Sequence, residues 1–336
     1  MKVLNVRNAH DALLRGLDFL YTNGVKAESR NGVVFQAPTP VTTVYSKPKE
    51  RVLFWKERNA NPFFHFMEAL WMIKGGYDLE FVYQYNKRMK EFSDDGQTLH
   101  GAYGWRWRSW FFRDQIPIII KRLKENPEDR RSVLQMWDPV EDLDRDGADV
   151  PCNTCVYFKI DLEGKLQMTV CNRSNDIIWG AYGANVVHMS MLQEYMATAI
   201  GVSVGKYYQI SDNYHAYNVV FEPLLNKFIE QDAMDFFTQK RFLALNPYTA
   251  EMVKPYPIVN TDIQIWDLDL LGFFDRKPFD HTIYGDPFFT HVAAPIQNSW
   301  WLYKSGQIEE AMIEIQECKA DDWRKACWEW LGRKSN

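Results

Sequence analysis

Residues 155–170 (CVYFKIDLEGKLQMTV) alternate apolar and polar side chains on either side of a single break. Val156, Phe158, Ile160 and Leu162 run up to Glu163-Gly164, and Leu166, Met168 and Val170 run away from it. A period of two around a glycine turn predicts a β-hairpin with one buried face. Such a hairpin is not stable alone and needs more strands and a covering layer. Residues 131–137 (RSVLQMW) read as a further strand, and residues 33–55, rich in Val, Thr, Pro and Tyr, as strand and turn. The covering layer is helical. Asn61-Pro62 opens a helix as cap and first-turn proline, Phe63, Phe66, Met67, Leu70 and Ile73 form its apolar stripe, and Gly75-Gly76 end it. A second helix runs from about Asn185 to Ile200, with Val186, Met189, Leu192, Met196 and Ile200 inward and Gly201 as its stop. Strands flanked by long helices predict an α+β fold, a mixed sheet with packed helices rather than a doubly wound one.

After about residue 225 the chain changes character. Prolines and aromatics crowd residues 246–300, and two helical stretches follow, marked by Ile308, Ala311, Met312 and Ile315 and then by Trp323, Ala326, Cys327 and Trp330. The expected organisation is a catalytic domain over 1–225 and an elaboration over 226–336 packed on the same domain. A chain that is 46% hydrophobic can build that core. Its formal charge of −5 provides no general basic field for nucleic acid, so an anionic ligand needs a local arginine cluster. No apolar run reaches membrane-spanning length, the N-terminus has no signal-peptide pattern, and five unevenly spaced cysteines do not form a secreted disulfide framework. These features predict a cytoplasmic protein.

The densest polar cluster lies between residues 130 and 217: Arg130-Arg131, then "VPCNTC", "NRSND", Asn185 and "DNYHAYN". Each piece has an ordinary reading. A cysteine in an apolar strand is usually core, a double arginine is usually a solvated face, and Asn185 is a good helix cap. "CxxC" also invites redox and zinc readings. Here, however, a strand follows the motif where a redox motif has a helix, and Cys152, Cys155 and Cys171 have no fourth ligand nearby.

The order and spacing of these blocks, with "SRNGVVF", "FMEALWMIKGG", "LHGAYGWRWR" and "DRRSVLQMWDP" before them, resemble the thymidylate synthase family, which includes the deoxyuridylate and deoxycytidylate hydroxymethylases. About two-thirds of the chain is covered. The resemblance implies transfer of a one-carbon unit from methylene-tetrahydrofolate to carbon 5 of a pyrimidine deoxynucleotide. Carbon 5 is a poor nucleophile until a thiolate adds at carbon 6. Cys152 matches that nucleophile, with Cys155 as the rival thiol, and Arg173 matches the cation that favours a thiolate. Glu68 matches the general acid/base carboxylate, and Tyr103 lies in a matching catalytic block. Arg30, Arg173 and Ser174 would hold the phosphate with Arg130 and Arg131 of a partner subunit, which implies an obligate homodimer. Asn185 would read the base edge, His215 and Tyr217 the sugar hydroxyl, and Asp176 and Trp105 the folate. His65 reads as structural.

The chain departs from the family pattern in three places. Asn153 follows the nucleophile where the synthases have histidine, "GAYGAN" is one residue longer than the usual loop, and "WEWLGRKSN" lacks the small apolar tail that closes over folate. Admitting water where the synthases pass hydride favours a hydroxymethyl product. An amide at 185 favours uracil over cytosine, because an amide can both donate and accept. The alternatives are thymidylate synthase proper, a deoxycytidylate hydroxymethylase, and a nucleotide- or RNA-binding relative without turnover.

Overall fold

The computed structural model describes residues 1–238, 246–280 and 283–335, with side chains omitted over 231–238. Its centre is an eight-stranded mixed sheet built from β1 (Lys2–Val6), β2 (Val25–Ser29), β3 (Gly32–Gln36), β4 (Val41–Tyr45), β5 (Val133–Gln135), β6 (Asn153–Ile160), β7 (Lys165–Asp176) and β8 (Ser203–Tyr217). The order is β1-β4-β8-β7-β6-β5, and the β2–β3 hairpin joins at β8 through β3. β7 and β8 are parallel, as are β1 and β4, and the other pairs are antiparallel. This is the expected α+β class.

The β6–β7 hairpin turns at Gly164, which takes a positive φ of 75°. Leu162 is a correction to the expected alternation. β6 stops at Ile160, and Leu162 stands fully exposed in the turn. The strand read over 131–137 shrinks to Val133–Gln135, because Met136 and Trp137 both donate to the Thr154 carbonyl and so leave the ladder.

The helix Pro62–Lys74 starts as its sequence dictates. The Asn61 side chain accepts from the Phe64 N–H at 3.2 Å, proline occupies the first turn, and Gly75 closes the far end at φ 95°. Nearly every residue of this helix is buried, because the sheet side and the C-terminal elements cover it on different faces. Phe63 packs on Trp300 and Trp330, and Phe66 on Phe288 and Trp323. Burying each such ring contributes about 2 kcal/mol. The helix Asn218–Thr238 runs through residue 225 without a break. Helices over Ile263–Asp275 and Ala294–Lys304, which the proline- and aromatic-rich stretch concealed, precede the two expected ones at Ile308–Glu314 and Asp321–Gly332.

The helix Asn185–Ile200 ends at Gly201 as expected, but it does not begin with a cap. A π-helix over Ile177–Ala184 leads straight into it, and the Asn185 N–H donates to the Gly180 carbonyl five residues back. A π turn encloses one more residue than an α turn. The "GAYGAN" segment is therefore part of the helical run, and Asn185 makes no side-chain cap bond.

Candidate active site

Three strand ends and one turn gather the charged motifs. Cys152 immediately precedes β6, and the Arg173 N–H on β7 donates to the Cys152 carbonyl at 3.0 Å. The Arg173 guanidinium is itself fixed. It donates to the carbonyls of Pro151 and Val150, each at 2.9 Å, and lies 5.5 Å from the Trp137 ring. Next to Cys152, the Asn153 N–H donates to the Tyr103 hydroxyl at 3.4 Å. Burial pushes the Cys152 thiol above its ordinary value. Arg173 and Arg30 oppose this, while Asp149 and Asp176 add to it. Tyr103 is likewise raised well above its ordinary value, by burial first and then by Cys152, so its hydroxyl keeps its proton.

Cys155 sits differently. It faces Cys171 across the β6–β7 ladder, and hydrogen bonding to that thiol lowers it. Its other polar neighbours are Tyr157 and Thr154, with no cation among them.

Ser174 pairs in register with Asn213, and Asp176 with His215. The Asp176 carboxylate accepts from the N–H groups of Ile178 (2.9 Å) and Trp179 (2.6 Å), capping the π turn, and from Tyr217 N–H at 3.4 Å. Burial outweighs those donors and raises its pKa. His215 is buried edge-on to Tyr217 at 5.4 Å. The Tyr217 hydroxyl accepts from Asn31 Nδ2 at 3.5 Å, which brings the exposed Arg30 turn to the same strand end.

Asn185 is buried, and its Nδ2 donates to Asn175 Oδ1 at 3.3 Å, while Asn175 donates to Ser211 Oγ at 2.9 Å. That chain fixes the amide's orientation. Glu68 is buried at 2.9 Å from His188 Nε2. Trp105 packs on Tyr77 with centroids 4.4 Å apart. His65 is buried, and burial first, then Arg58 and His188, lowers it well below its ordinary value, as suits a structural histidine. Arg130 and Arg131 are exposed just before β5, with Arg131 80% exposed and loosely paired to Asp129 at 3.5 Å. They lie apart from the other phosphate candidates along the sheet order.

Sequence reasoning missed three residues here. His188 lies one helical turn after Asn185, and that spacing was a usable signal. Asp149, which accepts from Gly101 N–H at 2.7 Å, is raised by burial to about 6 and is felt at Cys152. Arg58 is buried, donates to the Ile178 carbonyl at 2.9 Å and lies 4.4 Å from the Trp179 ring, a contact across distant segments with no local signal.

Residues 14–255 match the thymidylate synthase family. A deoxyuridylate hydroxymethyltransferase of Pseudomonas phage M6 is 47% identical over 99% of this chain and 95% of its own length.

The chain belongs to the thymidylate synthase family.

Two further relatives carry the same printed name. That of Bacillus phage SP01 is 41% identical over 53% of this chain and 49% of its own, and that of Delftia phage PhiW-14 is 29% identical over 66% and 63%. The protein is thus a methyl- or hydroxymethyltransferase of the thymidylate synthase family, which generally uses methylene-tetrahydrofolate and acts on pyrimidine nucleotides. Among the described residues no helix is long and apolar enough to cross a membrane.

Proposed function

We propose that this enzyme adds a one-carbon unit to carbon 5 of deoxyuridylate and leaves it there as a hydroxymethyl group. The observation that carries the reading is Cys152, held at the head of β6 between the Arg173 guanidinium and the Tyr103 hydroxyl. Its thiolate adds at carbon 6, and the ring electrons move towards carbon 5 and the carbonyl oxygen. Glu68 handles protons on the base through water. Arg30, Arg173 and Ser174 bind the phosphate with Arg130 and Arg131 of the partner subunit. Asn185 pairs with the uracil edge, and His215 and Tyr217 with the sugar hydroxyl. Residues beyond about 225 serve as an elaboration of the one domain.

Methylene-tetrahydrofolate supplies the one-carbon unit when bound. The residues present fit such a co-substrate. Trp105 offers a partly exposed ring, Asp176 can donate when protonated, and Trp179, 43% exposed, lies between Arg58 and Arg88 at 4.4 and 5.3 Å. An aromatic face and two cations suit a flat ring with an anionic tail.

Two observations support the homodimer. The sheet leaves Val133 and Tyr157 40% and 47% exposed on one face, beside the half-buried Cys155 and Cys171. The exposed Arg130 and Arg131 lie at the β5 edge of that same sheet. A mixture of inactive Arg131→Ala and inactive Cys152→Ser should regain activity in about a quarter of its sites after random subunit exchange, since half the dimers are mixed and each has one intact site. No recovery after confirmed exchange would remove the shared phosphate site. A reducing cytoplasm suits the five cysteines, all of which are free.

The hydroxymethyl outcome draws on Asn153, fully buried with both amide atoms lacking a protein partner among the described residues, as a polar group able to hold water beside the nucleophile. Tritium release from carbon 5 of deoxyuridylate, dependent on methylene-tetrahydrofolate, tests the reaction class. A folded protein that binds the nucleotide but releases none would make it a non-catalytic relative.

A further inference from the structure

The helix Asn185–Ile200 is buried almost all round, so a polar side chain on it is costly unless paired. His188 is such a side chain. It lies three residues after Asn185, on the same helical face, and its Nε2 is 2.9 Å from Glu68 Oε2 with both side chains nearly inaccessible. An ionised carboxylate only accepts, so Nε2 carries the proton and Nδ1 the lone pair. Nδ1 is buried and has no protein partner among the described residues. His65, one helical turn before Glu68, also lies within the field of His188, but burial and Arg58 keep it uncharged, and no bond from it to Glu68 accompanies that of His188.

We propose that His188 is a positioning residue for the one-carbon transfer, orienting the Glu68 carboxylate so that Oε2 is held and Oε1 faces the reacting base and its water. This rests on the function proposed above. In the hydroxymethyl step the oxygen of water bonds to the methylene carbon attached at carbon 5, the π pair returns to the ring, and the released proton goes to Glu68 Oε1. His188 keeps its own proton throughout. Its Nδ1 accepts from a second water and so fixes the ring that fixes the carboxylate. Misplacing a reacting group by about an ångström can cost about a hundredfold in rate, and an unheld carboxylate on Glu68 has that freedom.

The test compares His188→Leu, His188→Asn and His188→Gln, alone and with Glu68→Gln, measuring kcat, KM for deoxyuridylate and calorimetric Kd for the nucleotide. Leucine removes the bond, asparagine is too short to make it, and glutamine can still donate. His188→Leu and His188→Asn should lower kcat about a hundredfold with nucleotide Kd changed by less than about twofold. His188→Gln should recover most of the rate. In the Glu68→Gln background none of the three should lower kcat further, because the group being positioned is already gone. If leucine does not fold, asparagine takes its place in the cycle. Additive losses with Glu68→Gln, a glutamine variant no better than asparagine, or losses confined to Kd would overturn the proposal. Wild-type protein releasing no tritium from carbon 5 would refute the function itself. Tritium release together with a kcat insensitive to His188 would refute only this role.

Discussion

The strand ends around Cys152 and the aromatic layer beyond residue 256 were built under different constraints. At the strand ends, the proposed reaction fixes residue type by chemistry: a thiol, a guanidinium and a carboxamide would each do something no neighbour in size can do. In the aromatic layer, Phe288, Trp300, Trp323 and Trp330 close over the helix Pro62–Lys74 through ring contacts of 5.0–5.9 Å, and many apolar combinations of the right volume would serve. A motif can therefore be read in the first region, whereas only composition can be read in the second. The two meet on one helix, whose Phe63 and Phe66 face the aromatic layer and whose Glu68 faces His188.

The largest expected effect lies at the strand ends. Cys152→Ser should abolish turnover while nucleotide binding persists, because an alcohol is not ionised near neutral pH. Cys155→Ser should stay active, since that thiol's polar neighbours are a thiol, a phenol and a hydroxyl rather than arginines. The opposite pattern in a turnover assay would move the nucleophile to Cys155. The aromatic layer should respond in stability instead. Trp330, buried against Phe63, Trp300 and Tyr303, should cost about 3–5 kcal/mol on replacement by alanine. Denaturant unfolding would show that loss with kcat per folded molecule retained. A collapse of kcat in folded Trp330→Ala would show that the layer takes part in the chemistry.

Smaller effects sharpen the reading of the site. Asn185→Asp should move preference from uracil towards cytosine nucleotides by about 1–3 kcal/mol, since a mismatched buried donor has that cost. Competition between deoxyuridylate and deoxycytidylate reads it directly, and unchanged selectivity with a lower Tm would return Asn185 to a packing role. The smallest effect concerns acidity. Burial already places the Cys152 thiol above its ordinary value, so its alkylation rate should rise as pH rises through that elevated value. Arg173→Gln removes the strongest opposing charge and should shift the rate profile to still higher pH. A profile moving to lower pH would contradict the assigned role of Arg173.

What was legible follows the same division. The β6–β7 hairpin and the helix opened by Asn61-Pro62 were readable because period and cap chemistry are local. Leu162 was misread because an apolar residue in a turn continues the period without continuing the strand. Asn185 resembled a cap because asparagine commonly is one, and only the π turn, which Asp176 caps, removes that reading. The Glu68–His188 pair joins residues 120 positions apart. No local rule pairs them, although the one-turn spacing of His188 from Asn185 placed it on the informative face. The helices at 263–275 and 294–304 were hidden by prolines that sit before them or in their first turns.

One measurement bears on the central claim most directly: the fate of the folate when the purified enzyme converts deoxyuridylate with methylene-tetrahydrofolate. The present account predicts 5-hydroxymethyl-deoxyuridylate by mass spectrometry with tetrahydrofolate regenerated, and hence nucleotide turnover without the near-ultraviolet absorbance rise of dihydrofolate. Thymidylate formed together with stoichiometric dihydrofolate would contradict it, because hydride rather than water would then have reached the methylene carbon.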